Sequence, residues 1–287
     1  MWLITGAGGM LGTDLTAALD RAGEPAIALR HRDLDIRDRD AVARAMRRYR
    51  PDTVVNCAAW TAVDAAEADE QAALALNGEA AGTVARACVD FGARFVHISS
   101  DYVFSGSAVH PYAEDAVTGP VNVYGRTKLA GELAVLDAGP AVILRTAWLY
   151  GANGPSFVRT IVRLASERET LEIVDDQYGQ PTWTADLADQ VIRAVSSGLR
   201  DGIYHATNTG MTTWYGLACE IFTLLGADPA RISPVTSEKF PRPAERPRYS
   251  VLGQARWAEA GLSPMRDWRT ALTAAWSHLP TSSWARR

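Results

Sequence analysis

Apolar residues follow two different periods along the first half of the chain. Short runs rich in Val, Ile and Leu predict strands at 2–5, 26–29, 53–56, 94–98 and 141–144. Longer segments with apolar residues at helical spacing predict helices at 10–22, 39–49, 70–91 and 122–137. Regular alternation of this kind is typical of α/β proteins, so we predict a doubly wound parallel sheet with helices on both faces.

The pattern is less regular after about residue 150. Helices are predicted at 157–167, 184–197, 213–225 and 267–276, and strands at 171–174 and 202–206. The proline-rich stretch 240–247 is predicted to be a loop. We therefore expect a first domain over 1–150 and a smaller lobe over 151–287, some of whose elements rejoin the first sheet.

A glycine-rich loop follows directly on the first predicted strand. Gly6, Gly9 and Gly12 are spaced three residues apart, between that strand and the start of a helix. Gly6 permits a tight turn, Gly9 lets the backbone approach a pyrophosphate, and Gly12 lets the helix pack on the sheet. Because a helix N-terminus favours an anion, the loop predicts a Rossmann dinucleotide-binding domain over 1–150. The lobe over 151–287 is then expected to bind mainly the substrate.

The end of the second strand bears on the choice of dinucleotide. An acidic residue at this point would bind the ribose 2′-hydroxyl of NAD, whereas this chain has Arg30, which suits a 2′-phosphate. Arg30 therefore favours NADPH as the cofactor, and NADH is the alternative if Arg30 is an ordinary surface residue. Asp35 and Ile36, just downstream, are predicted to flank the adenine.

Three residues carry the catalytic chemistry that the sequence predicts. Tyr124 and Lys128 are four apart on a predicted helix, so they share one face. A free tyrosine has a pKa of about 10, and we expect the Lys128 cation to lower that of Tyr124 toward neutrality. Tyr124 would then donate a proton to a carbonyl oxygen as hydride reaches the carbon. Ser100, at the carboxyl end of the fourth strand, would hydrogen-bond and polarise that carbonyl.

Taken together, these motifs resemble the extended short-chain dehydrogenase/reductase superfamily and, within it, the dTDP-4-dehydrorhamnose reductase family. The similar stretches run from residue 3 to about residue 255. They are NCAAWTAVD at 56–64, SSDYVF at 99–104, NVYGRTKLAGE at 122–132, RTAWLYG at 145–151, DDQYGQPT at 175–182 and RPRYS at 246–250. Position 100 is serine where this family usually has threonine, which keeps the hydroxyl.

The resemblance implies roles for individual residues. It implies a catalytic triad of Ser100, Tyr124 and Lys128. It implies contacts with the cofactor, beyond the glycines and Arg30, for Met10, Leu11, Asp35, Ile36, Ala58, Ala59, Trp60, Thr61, Tyr124 and Lys128, with Lys128 on the nicotinamide ribose. It implies contacts with the sugar nucleotide for Ser100, Asp101, Tyr102 and Trp148, and we expect the diphosphate to meet Arg242, Arg246 or Arg248.

The implied activity is NAD(P)H-dependent reduction of the 4-keto group of a dTDP-4-dehydro-6-deoxyhexose, foremost dTDP-4-dehydro-L-rhamnose. One alternative is another sugar-nucleotide ketoreductase, epimerase or dehydratase; the dehydratases carry Glu where this chain has Tyr102. A second alternative is a non-catalytic, dinucleotide-binding regulatory subunit. The product stereochemistry stays open.

Two further expectations follow from the same resemblance. A homodimer is expected at family level. Some related reductases bind Mg²⁺ at a subunit contact, with Asp14 and Asp186 as the corresponding residues here. Carboxylates on a helix surface are the alternative, and no metal ligand is assigned.

Composition removes several other classes of protein. Hydrophobic residues make up 47% of the 287 residues and the net charge is −4 without blocks of like charge, which disfavours nucleic acid as a partner. There is no secretory signal pattern and no apolar run of about 18 residues, so no membrane span is predicted. The cysteines number three and have no metal-binding spacing, so we expect free thiols and a cytoplasmic enzyme.

Overall fold

The first half of the chain forms the strands and helices that its apolar pattern predicts. The computed structural model describes residues 1–285. Over this half it contains, in chain order, β1 Trp2–Thr5, α1 Met10–Arg21, β2 Ala26–Leu29, α2 Arg39–Tyr49, β3 Thr53–Asn56, α3 Val63–Ala68, α4 Glu70–Leu74, α5 Ala80–Phe91, β4 Arg94–Ser100, α6 Val123–Ala138 and β5 Val142–Thr146. The predicted strands agree with these bounds to within two residues.

The prediction of one long helix over 70–91 is wrong in one respect. A π-helical turn at Ala75–Glu79 separates α4 from α5. Asn77, inside this turn, is buried, and its side-chain amide hydrogen-bonds groups outside the helix. Because π turns depend on such tertiary contacts rather than on apolar spacing, the sequence pattern does not reveal them. The helix α3 was not predicted either.

The second half has longer elements near their predicted positions and several two-residue strands that were not predicted. Its elements are β6 Leu149–Tyr150, α7 Phe157–Glu167, β7 Leu171–Val174, β8 Tyr178–Gly179, β9 Thr182–Trp183, α8 Thr184–Ser196, β10 Gly202–His205, β11 Asn208–Thr209, β12 Thr212–Thr213, α9 Trp214–Leu225, β13 Ile232–Val235, α10 Ala255–Glu259, β14 Met265–Asp267, α11 Trp268–Trp276 and α12 Thr281–Trp284. The segment 240–247 is a loop, as predicted.

Six parallel strands form the main sheet in the order β2-β1-β3-β4-β5-β10. The doubly wound parallel sheet predicted from the sequence is therefore confirmed. The strand β10 belongs to the second half of the chain, and it covers the outer edge of β5. The chain moves outward from β1 to β2 and then crosses to β3 on the other side, so a crevice is expected at the carboxyl ends of β1 and β3.

Both faces of the sheet are buried, which explains its nearly continuous apolar strands. Successive side chains point to opposite faces, so Ile4 packs with Leu15 of α1 and Leu187 of α8, whereas Leu3 packs with Val84 of α5. A third apolar cluster is formed by residues of α7, α9 and α11 in the second half of the chain. Burying a large apolar side chain contributes about 1.5–3 kcal/mol, so these clusters are the main source of stability.

Within residues 1–285, none of the helices combines the length and the apolar character that crossing a bilayer would require.

Candidate active site

The glycine loop lies where the strand order reverses, between the carboxyl ends of β1 and β3. Gly6 has a φ of +65°, and a Cβ there would lie 2.5 Å from the backbone nitrogen of Ala58, in the loop after β3. A Cβ at Gly12 would lie 2.6 Å from the carbonyl oxygen of Gly6. Gly9 is the N-cap of α1 and brings no side chain over the helix end. This thin loop at a helix N-terminus has the form that binds a pyrophosphate.

Two residues predicted to contact the cofactor have buried side chains. Leu11 packs in the core between α1 and the sheet, and Ile36 packs in the core on the opposite face. Any contact of these two residues with a dinucleotide would therefore use their backbone. Met10, in contrast, is half-buried at the start of α1, and a Cβ at Gly151 would lie 3.3 Å from its Cγ.

Arg30 lies over the glycine loop. Its side chain is exposed, and its Cγ is 3.4 Å from the position that a Cβ of Gly8 would occupy. Hydrogen bonds from Arg37 hold the pKa of Asp35 at about 2, so this carboxylate is charged but paired with a guanidinium. Arg30 therefore places a positive charge beside the glycine loop. A positive charge at this point suits the 2′-phosphate of NADPH.

The loop 58–61 after β3 is held by a residue that the sequence analysis missed. The backbone N–H of Trp60 donates to Asn77 Oδ1 at 2.8 Å, and Asn77 Nδ2 donates back to the carbonyl of Trp60 at 3.1 Å. The same Nδ2 donates to Thr127 Oγ1 of α6 at 3.0 Å. Asn77 thereby ties the predicted cofactor loop to the helix that carries Tyr124 and Lys128. Its signal in the sequence is a single asparagine inside an alanine-rich helical segment.

The helix α6 brings Tyr124 and Lys128 to the carboxyl end of β4. Its N-cap is Asn122, whose Oδ1 accepts a hydrogen bond from the backbone N–H of Gly125 at 2.8 Å. A side chain at Gly125 would overlap the carbonyl oxygen of Tyr102, so glycine permits the first turn of α6 to touch the segment that follows β4. The catalytic tyrosine of the prediction therefore lies next to that strand end.

Ser100 is the last residue of β4 and hydrogen-bonds Tyr124. Its hydroxyl also donates to Asp101 Oδ1 at 2.9 Å and accepts from the backbone N–H of Tyr102 at 3.2 Å. The ring of Tyr102 meets that of Tyr124 edge to face, with centroids 5.5 Å apart. The structure therefore brings Ser100 and Tyr124 together at one edge of the sheet.

The protonation of Tyr124 differs from the expectation. Burial raises the pKa of Tyr124 to about 12, although the hydrogen bond with Ser100 opposes the rise. The ammonium of Lys128 donates to the carbonyl oxygen of Ile98 at 2.6 Å and is not among the groups that shift this phenol. The predicted lowering of the Tyr124 pKa by Lys128 is therefore not found, because burial raises the pKa and the ammonium bonds Ile98 instead. Tyr124 is protonated at neutral pH.

Lys128 is a buried cation, with 2% of its surface exposed. Burial lowers its pKa to about 8, while Glu132, one helical turn further along α6, favours the charged form. Lys128 is thus mainly an ammonium at neutral pH, held at the strand end by its bond to Ile98.

The carboxylate of Asp101 lies beside Ser100. Asp101 is buried, and burial raises its pKa to about 6, whereas hydrogen bonds from Ser250 and Ser100 oppose the rise. Its Oδ2 has no hydrogen-bond partner among residues 1–285. A buried acceptor without a partner costs free energy, and it is one place where a hydroxyl group of a ligand could bind.

Trp148 is held in an unusual backbone conformation. Its φ is +47°, a value that non-glycine residues rarely adopt. Its indole stacks on Trp214, with ring centroids 3.5 Å apart and an angle of 7° between the planes. A side chain at Gly179 would overlap the other side of the indole. Such strain is often found at ligand-binding sites, so the geometry supports Trp148 as a functional residue.

A cleft of about 420 Å³ has three arginines in its lining. Arg242, Arg246 and Arg248 line it together with Gln177 and Phe240. Arg246 also forms an ion pair with Asp64, with 2.9 Å between Nη2 and Oδ2. The three arginines that were expected to meet a diphosphate thus share one cleft.

Asp14 and Asp186 make polar contacts within the chain. Asp14 accepts hydrogen bonds from Thr184 and Asn153, and Asp186 forms an ion pair with Arg266 and accepts from Asn208. Residues 1–285 contain no group of three or more His, Cys, Asp or Glu side chains placed to hold a metal ion.

The glycine loop at the crossover of a doubly wound parallel sheet, with Ser100, Tyr124 and Lys128 at the adjoining edge, defines a dinucleotide-binding protein of the short-chain dehydrogenase/reductase class. Comparison with known proteins narrows the class. The family model described as the RmlD substrate binding domain matches residues 1–280. The chain belongs to this family, that of the dTDP-4-dehydrorhamnose reductases, which confirms the resemblance seen in its motifs.

Relatives with assigned names cover nearly the whole chain. It is 55% identical over 276 residues to the dTDP-4-keto-6-deoxy-D-glucose reductase of Streptomyces niveus, with 96% of each chain covered. It is 56% identical over 278 residues to the dTDP-4-dehydrorhamnose reductase of Streptomyces griseus, with 95% of this chain and 91% of the relative covered. The crystal structure of the Bacillus anthracis dTDP-4-dehydrorhamnose reductase in complex with NADP is similar, with a TM-score of 0.93, 36% identity and coverage of 96% of this chain and 98% of that one.

Proposed function

We propose that this chain catalyses the NAD(P)H-dependent reduction of the 4-keto group of a dTDP-4-dehydro-6-deoxyhexose. The first candidate reaction converts dTDP-4-dehydro-L-rhamnose to dTDP-L-rhamnose. One observation carries the proposal: Ser100 and Tyr124 meet beside a glycine loop, with Lys128 on the same helix, in a chain more than half identical to two reductases of dTDP-linked keto sugars.

The residues of the crevice fit NADPH. The loop at Gly6, Gly9 and Gly12 is thin enough for a pyrophosphate, and Arg30 places a cation beside that loop. The relative from Bacillus anthracis was solved with NADP, which supports the same choice here. When bound, NADPH supplies the hydride that the keto carbon of the sugar accepts.

The proton for the reduced oxygen is proposed to come from Tyr124. Burial keeps its phenol protonated at neutral pH, which is the form that a proton donor needs. Ser100 would hydrogen-bond the same oxygen and orient the carbonyl. Lys128, a buried cation in the same helix, would stabilise negative charge as it develops on the oxygen and would bind the nicotinamide ribose.

The sugar nucleotide is proposed to bind between the sheet and the smaller lobe. Asp101 and Tyr102 would meet the sugar, Trp148 would pack against it, and the cleft with Arg242, Arg246 and Arg248 would hold the diphosphate. This proposal gives 1–150 the dinucleotide and assigns most of 151–287 to the substrate.

The proposal has a second candidate for the sugar of the substrate. The Streptomyces niveus relative is named a reductase of dTDP-4-keto-6-deoxy-D-glucose and is 55% identical to this chain. The dTDP-4-dehydrorhamnose reductase of Streptomyces griseus is 56% identical. Dehydration is disfavoured, because Tyr102 stands where the dehydratases carry a glutamate.

The test is an assay with purified protein, NADPH or NADH, and enzymatically made dTDP-4-dehydro-L-rhamnose, which follows the loss of nicotinamide absorbance. Oxidation of NADPH with dTDP-L-rhamnose as the product supports the first candidate. Oxidation only with dTDP-4-keto-6-deoxy-D-glucose supports the second. Binding of NADPH without turnover of either sugar would contradict the proposal and favour a regulatory subunit.

The proposal includes a cytoplasmic homodimer. Cys57, Cys88 and Cys219 are free thiols, as in a reducing compartment. Exposed apolar residues on α5 and α6, among them Phe91 and Leu133, offer a surface for a second copy. Light scattering coupled to size-exclusion chromatography tests the dimer, and a mass near 31 kDa would contradict it.

A further inference from the structure

A buried ion pair lies beneath the helix that carries the catalytic residues. Glu132 and Arg145 are 1% and 2% exposed. Arg145 donates from Nε to Glu132 Oε1 at 2.9 Å and from Nη2 to Oε2 at 2.7 Å. Ser99 Oγ donates to Oε1 at 2.5 Å. Since Ser99 of β4 and Arg145 of β5 are partners in the sheet register, the carboxylate of Glu132 is fixed to both strands.

Glu132 lies on the same face of α6 as Lys128, one helical turn further along. The Lys128 ammonium is buried, and it donates a hydrogen bond to the Ile98 carbonyl oxygen of β4. A buried cation is costly unless an opposite charge or several acceptors compensate it. Glu132 brings a negative charge to this face of α6, while its two oxygens bond Arg145 and Ser99 rather than the ammonium itself.

The other titratable groups that face Lys128 do not carry negative charge. Burial raises the pKa of Cys57, after β3, to about 12, so its thiol is protonated. Burial, with a contribution from Lys128, lowers the pKa of His97 of β4 well below its usual value, so this imidazole is neutral. Tyr124, on α6 itself, is protonated, and Arg145 of β5 is a cation. Glu132 is therefore the anion of this group.

We propose that Glu132 is a positioning residue for the reduction: its carboxylate, anchored by Ser99 and Arg145 one helical turn from Lys128, stabilises the ammonium that Ile98 binds at the carboxyl end of β4. The inference rests on the proposed function for its catalytic meaning, but the charge state of Lys128 is a property of the protein itself. A carboxylate that served only to attach α6 to the sheet could be replaced by apolar packing without any effect on Lys128.

Loss of the Glu132 charge then has a defined consequence. Burial already lowers the pKa of Lys128 to about 8, and Glu132 opposes this effect. Glu132→Gln keeps the shape of the side chain but removes its charge, so the Lys128 pKa should fall by about one unit or more. Activity at pH 6 should change little, whereas turnover at pH 8 should fall about fivefold, since a fall of one unit takes the charged fraction at that pH from about one half to about one tenth.

The chain allows a direct measurement, because Lys128 and Lys239 are its two lysines. Protein labelled with ε-¹³C lysine gives two side-chain signals, and Lys239→Arg assigns them. We expect the Lys128 signal to titrate near pH 8 in the parent protein and at least about one unit lower in Glu132→Gln. The matched control is Asp137→Asn, the same change on the exposed side of α6, with 86% of the side chain accessible; it should leave the titration unchanged.

The titration is read without cofactor or substrate, so it separates this inference from the proposed reaction. An unchanged Lys128 midpoint in Glu132→Gln, with a lowered melting temperature, would overturn the inference and leave Glu132 as a structural clamp. A shifted midpoint in a protein that reduces no keto sugar would retain the inference and contradict the proposed function. If Glu132→Gln does not fold, Arg145→Gln removes the cation that pairs with Glu132 and keeps the carboxylate; the Lys128 midpoint must then rise, and an unchanged midpoint would overturn the inference.

Discussion

A reduction at neutral pH depends on which side chains hold a proton before hydride transfer. Burial raises the pKa of Tyr124 to about 12, so the phenol is ready to donate. Lys128, with a pKa of about 8, is mostly charged. Asp101, with a pKa of about 6, is mostly ionised and lies against Ser100. A proton donor, a cation and a hydrogen-bonding hydroxyl are thus all in the state that carbonyl reduction requires.

Tyr124→Phe should remove the proton donor and leave the fold intact. We expect kcat to fall about 10²–10⁴-fold, the usual size of an acid–base contribution, with little change in NADPH affinity. Steady-state kinetics with the keto-sugar substrate measure the effect. Tyr204→Phe is the matched control. Tyr204 lies in β10, and its hydroxyl donates to the carbonyl oxygen of Arg200. Parent-like turnover in Tyr124→Phe would remove Tyr124 from the mechanism.

Arg30→Ala should weaken NADPH selectively. Loss of a charge-assisted contact with a 2′-phosphate costs about 1.5–3 kcal/mol, so kcat/KM for NADPH should drop about 10–100-fold while that for NADH stays constant. Arg32→Ala, which removes an exposed arginine paired with Asp33, serves as the control. If kcat/KM falls equally for NADPH and for NADH, Arg30 does not bind the 2′-phosphate.

The sequence predicted where these residues lie better than it predicted their protonation. Residues four apart on a helix share a face whatever the tertiary structure, so the pairing of Tyr124 with Lys128 could be anticipated. The pKa of Tyr124 depends on how deeply its ring is buried and on where the Lys128 ammonium finds an acceptor. Both are properties of the packed site, and spacing along the chain contains no record of them.

Among the secondary-structure elements, the π turn between α4 and α5 has the most specific role. Asn77 in this turn connects the loop after β3 with α6 through Trp60 and Thr127. Two parts of the predicted active site, the cofactor loop and the catalytic helix, therefore share one anchor. Apolar spacing predicted a single helix over 70–91 and gave no sign of this anchor. A π turn adds only one residue to the helix, so the apolar pattern stays nearly unchanged.

Asn77→Ala should destabilise the protein and loosen the cofactor loop together. Each buried partner left without a hydrogen bond costs about 1–3 kcal/mol, so we expect a melting temperature lower by several degrees and a raised KM for NADPH. Thermal unfolding and steady-state kinetics give the two values. Thr83→Ala, which removes an exposed hydroxyl bonded to the carbonyl of Glu79 within the helix, is the comparison. A lower melting temperature with an unchanged KM for NADPH would mean that Asn77 stabilises the fold but does not position the cofactor loop.

Across the entire chain, buried imidazoles govern how stability changes in acid. Burial, with Arg145 nearby, lowers the pKa of His205 to about 3, and burial lowers that of His97 well below its ordinary value. The unfolded chain therefore binds protons below pH 6.5 that the folded chain does not. The raised pKa of Asp101 has the opposite sign and offsets part of this between about pH 4 and 6.

We accordingly expect the free energy of unfolding to fall as the pH drops from about 6.5 toward 3. Each buried histidine contributes about 1.4 kcal/mol for every pH unit over this range. Urea unfolding at several pH values should show a shallower slope for His205→Gln than for the parent. His110→Gln, at an exposed histidine, should leave the slope as it is. Equal slopes in all three proteins would contradict the buried neutral state of His205.

The general architecture could be read from the chain because long apolar strands and helices have strong periodic patterns. The two-residue strands of the second half, such as β6 and β9, are too short for a pattern, and they form where Leu149 and Thr182 are brought together by tertiary packing. The stacking of Trp148 on Trp214 joins residues 66 positions apart for the same reason. Such long-range pairings define much of the candidate substrate site.

The return of β10 to the main sheet has a consequence for how the chain is made. A ribosome that has released residues up to Thr146 has exposed five strands, but the outer edge of β5 stays open until His205 has emerged about 60 residues later. An uncovered strand edge is a template for pairing with other chains. The nascent protein therefore passes through a period in which the first domain is nearly complete but prone to aggregate, and a truncated fragment ending near residue 150 would retain that exposed edge permanently.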